Sequence, residues 1–547
     1  MVISKHKLTM VITIITLLII FAGRSAFSAT YYIDFDHGSD SNSGTSANAA
    51  WKRCPGDLQA TDRAAGNKLA PGDQIIFKGG VVYKGSATLQ WSGTSGNIIT
   101  YDGNSAGTWG TGKAIIDGEK IDSPDRKYGF YASAARNYII IRNFEIKRMG
   151  GGPERTSCSD KGIIEGHGVF FERGASHVTV KDCRIYDMGS WENKPYQNQG
   201  YMGGVAIFFQ GSSDHIIVDN IDIFQVGRAG VYFSTYLAAG TKSVSNIEVK
   251  NCDVHHHFRW GIYFGAGTNG STFQNISIHN NIIRDMWHYS GWLGCKGAYP
   301  HYDGIMLTTN SYKGHTLGTP ERPIRIHGNQ FYINSDVKAG GGTAEIFMTA
   351  WGGTVYIYNN VFKNWLSHGL GAIYGQGMSR DHAADYHICN NSFYGGKSVV
   401  MIRDLGGVPF SGNRTVNFIN NAIYSTNKTS VLPIIGVHLF TGIKNNIIYS
   451  LRSDGLIAAA KTNGAAKYYT VTSLNALDNA SGNIGDDPLF ADISYGLGEN
   501  SSLNDIRLRA GSPGINAGLN LSGYFTTDFS GNTRAGKWDI GAYERKK

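Results

Sequence analysis

The sequence predicts an all-β fold of the solenoid type, in which short parallel strands wind into coils that stack along one axis. Two phrases alternate between about Asn137 and Ser450. The first is a β-branched run, an Asn or near equivalent and a second apolar run, as in HIIVDNIDI (from His215) and TVYIYNNVF (from Thr354). The second is a small residue followed by aromatic and aliphatic residues, as in WGIYFGAG (from Trp260). Their apolar positions alternate with a period of two, which indicates strands and not helices.

The spacing of the first phrase indicates a repeat array. Its Asn recurs at steps of roughly 30 residues, and one step about twice as long contains a variant phrase at Gly328. The marker positions are Asn220, Asn251, Asn280, Asn359, Asn390 and Asn420. Two or three strands per period with no helical pattern between them predict coils that stack about 4.8 Å apart. A β-propeller or β-sandwich is the alternative, because Asn marks turns in those folds also.

The recurring Asn predicts a corner of each coil. Asn tolerates the left-handed backbone conformation, and its side-chain amide donates to one coil while it accepts from the next. The phrases are bounded by Gly, Asn, Asp and Ser, which favour turns. A ladder of stacked Asn side chains is therefore expected along one edge of the solenoid.

The whole pattern resembles the right-handed parallel β-helix superfamily, the pectate-lyase-like fold, over nearly all of the chain after its first segment. The resemblance implies one right-handed parallel β-helix with N- and C-terminal caps. It is specific for the fold and much less specific for activity, because this fold hosts lyases, hydrolases, epimerases and phage tailspikes. Cleavage of a polysaccharide by a secreted enzyme is the activity that the resemblance implies first.

Residues 1–29 are predicted to be a signal peptide. A positive start at Lys5 and Lys7 precedes an apolar stretch, and AFS (from Ala26) supplies small residues at the two positions that a signal peptidase reads. Cleavage there predicts a protein that is secreted, periplasmic or held at the cell surface, without a membrane partner afterwards. An uncleaved anchor is the alternative.

The charge of the chain is mildly positive. The formal net charge is +8, and removal of the three basic residues of the signal segment lowers it to +5. This balance suits an anionic polysaccharide as partner. The basic residues form no runs, which argues against nucleic-acid binding. A monomer is expected.

Residues 30–125 are expected to form the N-terminal cap and the first coil. YYIDFDHGSD (from Tyr31) and PGDQIIFKGG (from Pro71) are similar to the opening of many secreted bacterial β-helix proteins. A cluster of oxygen ligands near the start makes Ca²⁺ a candidate cofactor, although its spacing is not that of an EF-hand and a solvated Asx turn is the favoured interpretation. The cluster comprises Asp34, Asp36, Asp40 and Asn42.

Residues 126–450 are expected to form the coils of the β-helix. Three insertions interrupt the period, at 150–166, 189–203 and 285–300. Each precedes a copy of the second phrase, so all three are expected to emerge along one edge. Loops on a rigid scaffold carry function, and together these would wall a groove for a long polymer.

Residues 451–547 are predicted to be a C-terminal cap. The stretch that begins at Asp528, DFSGNTRAGKWDIGAYE, resembles the closing segment of many secreted β-helix proteins of the choice-of-anchor Q type. Such a cap would cover the last coil and its open sheet edge. Asp528, Asp539 and Glu544 are then expected to have structural roles with Arg534.

The six cysteines contain no CxxC pair, which disfavours a zinc site. Cys183 and Cys252 occupy the same place in the repeat two coils apart, about 10 Å, which is too far for a disulfide. They are expected to be buried thiols. Cys54, Cys158 and Cys295 fall in loops and are candidates for disulfides after export.

The residues just before each second phrase give a candidate active site. Their alignment places Arg228 beside Arg259, with His301 and Asp303 on the next coil. Two arginines, a histidine and a carboxylate together are unusual for packing alone. β-Elimination on a uronate-containing polysaccharide needs a cation that neutralises the carboxylate, a base for the α-proton and an acid for the leaving oxygen.

These residue types fit the three roles. Arginine pairs bidentately with a carboxylate, so Arg259 is the predicted neutralising cation. His301 is the predicted base, and Asp303 orients it or, if calcium replaces arginine, binds Ca²⁺. Tyr299 or Lys296 is the predicted acid. The complete set of predicted substrate-binding residues is Arg228, Trp260, His257, His288, Lys296 and Tyr299.

Two further functions stay open at this point. Glycoside hydrolysis needs two carboxyl groups about 5 to 10 Å apart, and Asp303 and Glu345 lie on adjacent coils, although strand alternation can turn Glu345 inward. Glu165 is about four coils from Asp303, too far to pair with it. The other alternative is a non-catalytic carbohydrate-binding or surface protein in which the same residues hold polar loops.

Overall fold

Three long parallel β-sheets wrap around one apolar interior and form the coils of a parallel β-helix. The predicted fold class is therefore confirmed. The computed structural model describes residues 28–121, 123–150, 166–189, 204–236, 242–257, 259–285, 303–309, 314–333, 344–349, 351–364, 371–376, 384–403, 414–462, 465–497 and 500–545.

The described strands belong to three sheets and one short pair. Sheet 1 comprises β1 (Thr30–Ile33), β2 (Gln74–Phe77), β5 (Ile99–Asp102), β8 (Arg136–Arg142), β11 (Ala175–Lys181), β14 (Ser213–Asp219), β17 (Ser243–Lys250), β20 (Thr272–His279), β23 (Thr316–Leu317), β24 (Ile324–His327), β27 (Gly353–Tyr358), β30 (Ala384–Cys389), β33 (Thr415–Ile419), β36 (Gly442–Lys444) and β40 (Ala480–Ser481). Sheet 2 comprises β4 (Ala87–Thr88), β7 (Tyr128–Ala132), β10 (Gly166–Phe171), β13 (Gly204–Gln210), β16 (Ala229–Ser234), β19 (Trp260–Gly265), β22 (Asp303–Thr308), β26 (Ala344–Thr349), β29 (Gly371–Gln376), β32 (Val400–Arg403), β35 (Ile434–Ile435), β38 (Ala458–Thr462) and β39 (Ala465–Tyr469). Sheet 3 comprises β3 (Val82–Tyr83), β6 (Ala114–Asp117), β9 (Phe144–Lys147), β12 (Arg184–Met188), β15 (Asp222–Val226), β18 (Asp253–His257), β21 (Ile282–Arg284), β25 (Gln330–Tyr332), β28 (Val361–Lys363), β31 (Ser392–Gly395), β34 (Ala422–Ser425) and β37 (Ile447–Ser450), and the separate pair is β41 (Phe490–Asp492) with β42 (Asp505–Leu508).

Helical structure is sparse. Within the described ranges, the α-helices are α1 (Asp62–Gly66) and α2 (Val471–Asn475), and the 3₁₀ turns are Ala47–Ala49, Pro124–Arg126, Val437–Leu439 and Ser501–Leu503. Among the described residues, no helix has both the length and the apolar character needed to cross a bilayer.

Each coil gives one strand to each sheet, so neighbouring strands in a sheet come from successive coils. In sheet 2, β13 pairs with β16 and β16 with β19, both in parallel. The predicted insertions fall between a sheet 3 strand and the next sheet 2 strand: between β9 and β10, β12 and β13, and β21 and β22. Nearly all of their residues lie outside the described part of the chain.

The interior is filled by stacked columns of identical or similar side chains. Phe171, Phe209, Phe233 and Phe264 follow one another on successive coils, with ring centroids 5.1, 5.0 and 4.8 Å apart. All four are fully buried. Because the register is fixed by these columns, a one-residue slip of a strand would expose its whole apolar set.

The Asn corner is built from two adjacent residues. The first Asn of each pair has the left-handed conformation, with φ of 52° at Asn359 and 48° at Asn390. The second forms the buried ladder: the side-chain amide of Asn360 donates to Asn391 Oδ1, which lies 3.0 Å away. The expectation that a single Asn does both holds only in part: the left-handed Asn420 donates to Asn390 Oδ1 at 3.1 Å, but the continuous buried ladder is formed by the second Asn of each pair.

The earlier coils fill the ladder position with apolar groups and thiols. The backbone N–H of Cys252 donates to Asn281 Oδ1 at 3.0 Å, so Cys252 continues the Asn column. Cys183 and Cys252 are buried and unpaired, as predicted, and burial raises the pKa of each thiol to about 12. Cys54 is also a buried free thiol. The other two loop cysteines, Cys158 and Cys295, lie outside the described residues.

The N-terminal acidic cluster makes turns. Asp34 Oδ1 accepts the N–H groups of Asp36 and His37, and Asp34 Oδ2 forms an ion pair with Lys78 at 2.7 Å. Asp40 accepts the N–H of Arg53 at 2.8 Å. These contacts support the Asx-turn interpretation.

The C-terminal region does not act as one cap. Residues 451–485 close the last coil with the antiparallel β38–β39 hairpin and α2. Residues 486–545 instead run back along the side of the helix: Asn420, Asn390 and Asn359 donate to carbonyl groups of that segment. We call residues 486–545 the side strap. For the side strap, the prediction that the whole region covers the last coil is wrong. The Asn residues on the exposed side of the corner supply N–H donors, and the carbonyl groups of the strap accept them.

Acidic residues of the strap have the structural roles that were predicted. Arg534 is 5% exposed and forms an ion pair with Glu544 at 3.0 Å. Asp528 accepts the N–H of Asn532, and Asp539 accepts the N–H of Asn516. These contacts fix the strap conformation.

Candidate active site

A groove crosses the outer face of sheet 2 over strands β7, β10, β13, β16 and β19, with a volume of about 560 Å³. Its walls combine aromatic rings with a few charged groups. The lining residues used below are Tyr131, His167, Glu172, Arg228, Tyr232, Arg259, Trp260 and Tyr263. A long cleft with aromatic walls and few polar groups is the usual form of a ligand site.

The floor of the groove is an aromatic ladder on the outward side of the sheet. Phe170, Phe208 and Tyr232 stack face to face, with centroids 4.8 and 4.6 Å apart. Tyr263 meets Tyr232 edge to face at 4.5 Å, and its ring stacks on Trp260 at 4.1 Å. The spacing follows from the parallel register, because each strand places one ring over the ring of the previous coil.

Two arginines stand side by side at the start of adjacent strands. Arg228 precedes β16 and Arg259 precedes β19, and Ala229 is in register with Trp260. Arg228 Nη2 donates to Tyr232 Oη at 3.2 Å. The guanidinium of Arg259 lies 3.9 Å from the centroid of the Trp260 indole. The predicted pairing of the two arginines is confirmed.

Neither arginine is neutralised. Among the described residues, no carboxylate lies within ion-pair distance of either guanidinium, and the Nε of each is buried without a hydrogen-bond partner. Burial, and then the positive charge of Arg228, lowers the pKa of Arg259. Two like charges held together in a partly dry groove create a strong local preference for an anion.

His167 completes this end of the groove as a neutral ring. It is 2% exposed, and its Nδ1 accepts the backbone N–H of Val205 at 3.3 Å. Burial and the charges of Arg228 and Lys127 lower the pKa of His167 to about 3. With Nδ1 as acceptor, the neutral imidazole carries its proton on Nε2.

Glu172 is the acidic group of the groove. Its Oε2 accepts a short hydrogen bond from the hydroxyl of Tyr131. Burial and this carboxylate raise the pKa of Tyr131, so the phenol stays protonated. Glu172 follows the end of β10, whereas the arginines precede the start of their strands, which separates the acidic and basic groups along the strand direction.

Asp303 lies on the coil after Arg259 and outside the groove lining. It is in register with Trp260 and fully buried. Its Oδ1 accepts the N–H of Ala344 at 3.1 Å, and Oδ2 has no partner among the described residues. Burial raises the pKa of Asp303 well above its usual value, while Arg259 acts in the opposite direction.

Glu345 does not face Asp303 across the groove. It lies beside Gly304, and a Cβ built on Gly304 would sit 3.1 Å from Glu345 Oε2 and 3.3 Å from the core side chain of Ile283. The carboxyl group thus points into the interior, and Glu345 is 1% exposed. Burial, and then the charge of Asp303, raises the pKa of Glu345 to about 8. The pairing of Asp303 with Glu345 as facing catalytic carboxyl groups was wrong, because two adjacent residues at the start of the strand, Glu345 and Ile346, both face the interior.

Replacement of Glu345 by Ala is expected to stabilise the protein at pH 8 by an amount on the order of 4 kcal/mol. The folded state keeps its proton up to pH 8 while the unfolded chain loses it near pH 4.5, so wild-type stability falls as the pH rises between these values. Ala372 occupies the same column on the next coil, so Ala fits there. Thermal unfolding from pH 5 to 9 measures the effect, and Glu345→Gln is the isosteric control. An unchanged pH slope in both variants would contradict it.

Two of the predicted substrate-binding residues are placed differently from expectation. His257 is fully buried in register with Val226, and its Nε2–H donates to the carbonyl oxygen of Asp303 at 3.3 Å. Its prediction as a groove residue was wrong because the last position of β18 faces the core. Trp260 lines the groove, but it is only 5% exposed and its ring is covered by Arg259 and Tyr263.

The remaining predicted site residues are His288, Lys296, Tyr299 and His301, which lie outside the described residues, as does Glu165. Sequence reasoning missed His167, Glu172 and Tyr131. His167 stands in the column of Trp260 and Asp303, so alignment of complete columns would have shown it. Tyr131 belongs to the outward column of the second phrase, and Glu172 follows the end of its strand β10; only the residues just before each second phrase had been aligned.

Two groups of side chains outside the groove have metal-ligand geometry. One combines Asp222, Asp253 and His255 on sheet 3, and the other is Asp34 with Asp36 and His37. Arg184 pairs with Asp222 and Arg284 pairs with Asp253, at 3.0 and 2.9 Å. The positive charge of the arginines already compensates the first group, so no metal is needed there.

The fold and the groove define a β-helix protein with an aromatic, arginine-bearing cleft on its outer face. The model of the right handed beta helix region family matches residues 79–393, and the chain belongs to this family. No curated protein matches the sequence.

Several solved structures are similar to this chain at low sequence identity. Pectate lyase Pel9A is similar with a TM-score of 0.45 and 16% identity, covering 95% of this chain and 98% of that one. The complex of XylC with xylose gives a TM-score of 0.48 and 14% identity over 95% and 98% of the two chains. GH136 lacto-N-biosidase from Eubacterium ramulus gives 0.41 and 15% over 70% and 67%. Similarity at this level concerns the fold alone.

Proposed function

We propose that this protein is a carbohydrate-active enzyme that binds an acidic polysaccharide in the sheet 2 groove and cleaves it by β-elimination at a uronate residue. The observation that carries the proposal is the pair Arg228 and Arg259, which lie side by side without a carboxylate partner among the described residues. A carboxylate from outside the chain is the ligand that this arrangement favours.

The end of the groove that contains Arg228, Arg259 and His167 has groups that suit the chemistry of elimination. Arginine binding to a uronate carboxylate acidifies the proton on the adjacent carbon, because negative charge spreads into the carboxylate as the proton leaves. The Nε2–H of His167 is directed by its fixed tautomer and offers a neutral donor near Arg228. The aromatic floor supplies apolar contact for sugar rings.

The geometry does not favour glycoside hydrolysis. That reaction needs two carboxyl groups that flank the glycosidic bond. Of the described carboxyl groups, Glu345 points into the interior, Asp303 is buried outside the groove, and Glu172 is held by Tyr131. His301, the base that the sequence predicts, stays a proposal.

We also propose that the protein is exported after removal of residues 1–29 and acts as a monomer. The N-terminal sequence pattern supports export, and an extracellular location would give access to polysaccharide. Mass determination of the protein recovered from culture medium and periplasm, with N-terminal sequencing, tests this proposal. An intact N-terminus on membrane-bound protein would contradict it.

Arg259→Ala is expected to lower kcat/KM for the cleaved polymer by about 10²- to 10⁴-fold, because it removes the charge that stabilises the transition state. Arg228→Ala should weaken binding and activity in the same direction. Purified protein is screened against pectate, alginate and hyaluronan with and without Ca²⁺, and ultraviolet absorbance and reducing ends are followed together. Absorbance reports the double bond that elimination forms.

Arg184→Ala is the matched control, since Arg184 is a half-exposed arginine on the outer face of sheet 3. It should retain wild-type activity. Reducing ends without absorbance would replace elimination by hydrolysis. Binding of an anionic polymer without either signal would indicate a carbohydrate-binding protein, and neither binding nor cleavage would refute the proposed function.

A further inference from the structure

We propose that Tyr232 is the catalytic residue that transfers the proton in this elimination, an inference that rests on the proposed function. The reaction needs a group beside the bound carboxylate that takes the α-proton and can return it to the leaving oxygen. Tyr232 lies on β16, four residues after Arg228, and carries an ionisable oxygen in the groove.

The Tyr232 ring is held in one orientation. It stacks on Phe208 at 4.6 Å on one side and meets Tyr263 edge to face at 4.5 Å on the other. Tyr232 is 6% exposed, so its ring has little freedom to rotate out of the ladder. A fixed ring places its oxygen at a defined point of the groove, as proton transfer requires.

The oxygen of Tyr232 is in direct contact with the cation that would bind substrate. Arg228 Nη2 donates to Tyr232 Oη at 3.2 Å, and the Arg228 guanidinium carbon lies 4.9 Å from the ring centroid. A guanidinium that donates to a phenol oxygen stabilises negative charge on that oxygen. The same arginine therefore couples the phenol to the substrate carboxylate.

Three other titratable groups at or beside the groove are engaged elsewhere. The Nδ1 lone pair of His167 accepts the Val205 amide, which leaves Nε2 as a donor. Glu172 accepts from Tyr131. The carboxyl group of Asp303 is buried beyond the lining. Tyr232 is the groove residue among those described whose oxygen faces an arginine without a second protein acceptor or donor competing for it.

One residue, Tyr232, both takes up the proton and returns it. Tyr232 reacts as the phenolate and takes the proton from the carbon next to the carboxylate. The C–H electron pair forms the new carbon–carbon double bond, and the bond to the glycosidic oxygen breaks with its electron pair on that oxygen. The phenol then donates the same proton to the oxygen, which restores the phenolate and leaves one unsaturated and one reducing chain end.

The test compares Tyr232→Phe with wild type on whichever of pectate, alginate or hyaluronan the wild type cleaves. Removal of the hydroxyl is expected to lower kcat by about 10²- to 10⁴-fold, with less than a threefold change in the affinity for oligosaccharides of that polymer. Tyr374→Phe is the control, because Tyr374 belongs to the same outward column on sheet 2 but is four coils away and lines no part of the groove. It should cleave at the wild-type rate.

Replacement of Tyr232 by a fluorinated tyrosine gives a second readout. A more acidic phenol should move the limb of the kcat profile that depends on Tyr232 to lower pH, whereas a merely structural ring would leave the profile in place. If Tyr232→Phe keeps kcat within threefold of wild type while His301→Ala abolishes it, the Tyr232 assignment is overturned and elimination stands. If the wild type forms no unsaturated product from any of the three polymers, the proposed function fails and this inference fails with it.

Discussion

Acidification from about pH 4 to pH 3 is expected to destabilise the protein by roughly 3 kcal/mol. Three histidines are responsible, because burial lowers the pKa of each to about 3. They are His167, His257 and His327. Each titrates near 6.5 in the unfolded chain, and one proton taken up only on unfolding changes the stability by about 1.4 kcal/mol per pH unit.

The sign of the effect follows from the proton count of the two states. Below pH 6.5 the unfolded chain binds a proton at each of these histidines while the folded protein stays neutral down to about pH 3, so stability falls as the pH falls. Asp303 and Glu345 act oppositely, because burial raises the pKa of both. Their stabilisation on acidification is complete once the unfolded carboxyl groups are protonated, near pH 4. Between pH 6.5 and 4.5 these five groups partly cancel. From about pH 4 to pH 3 the three histidines are the ones of the five that change the stability, and paired carboxylates with lowered pKa values, such as Asp222 and Glu248, add to the loss.

His257→Val tests the histidine account. Val226 holds the same column on the preceding coil, so Val at position 257 continues an existing stack. The slope of unfolding free energy against pH, measured by urea unfolding between pH 3 and 4, should fall by about 1 kcal/mol per pH unit in the variant. Comparing the slopes of wild type and variant excludes any effect of the substitution on stability that does not depend on pH. An identical slope would show that His257 does not take up a proton on unfolding.

Replacement of Asn391 by Ala is expected to cost roughly 4 kcal/mol or more and to break the stack near the middle of the C-terminal half. Asn391 is fully buried in the Asn ladder. Its Oδ1 accepts the backbone N–H and the side-chain amide of Asn360, at 2.9 and 3.0 Å. Its Nδ2 donates to Ile357 O and Asn421 Oδ1, both at 3.0 Å.

The cost arises from the groups that the substitution leaves behind. Each buried donor or acceptor without a partner costs about 1 to 3 kcal/mol, and the interior beside Asn391 has no described polar group that would replace the amide. The loss propagates, because each coil is supported only by its neighbours. Limited proteolysis should therefore detect opening of the coils on both sides of residue 391.

Asn280→Gly is the matched control for the ladder variant. Asn280 has the left-handed conformation with φ of 56°, and Gly328 fills the corresponding place on the next coil with φ of 64°. The control should change the free energy of unfolding by no more than about 1 kcal/mol, since Gly adopts this conformation without strain. Urea unfolding of both variants measures the difference. Equal losses would show that the buried ladder is not the source of stability.

Parallel stacking by itself explains why the sequence predicted so much of the fold. A parallel β-helix repeats the same local environment on each coil, so the period of the Asn phrase and the alternation of apolar residues determine strands, coil boundaries and register together. For the same reason the sequence placed Arg228 beside Arg259 and identified Cys183 and Cys252 as separate buried thiols. These are contacts between neighbours in a regular array.

Features that do not repeat from coil to coil are determined only by the tertiary structure. At the start of the sheet 2 strands two adjacent residues face the interior, as Ala372 and Ile373 do, so Glu345 turns inward although strict alternation with Ile346 would turn it outward. The path of the side strap depends on donors from separate coils, which no local pattern contains. The groove itself arises where outward rings, His167 and the two arginines meet across five coils, because burial and charge at one point depend on strands that are far apart in the chain.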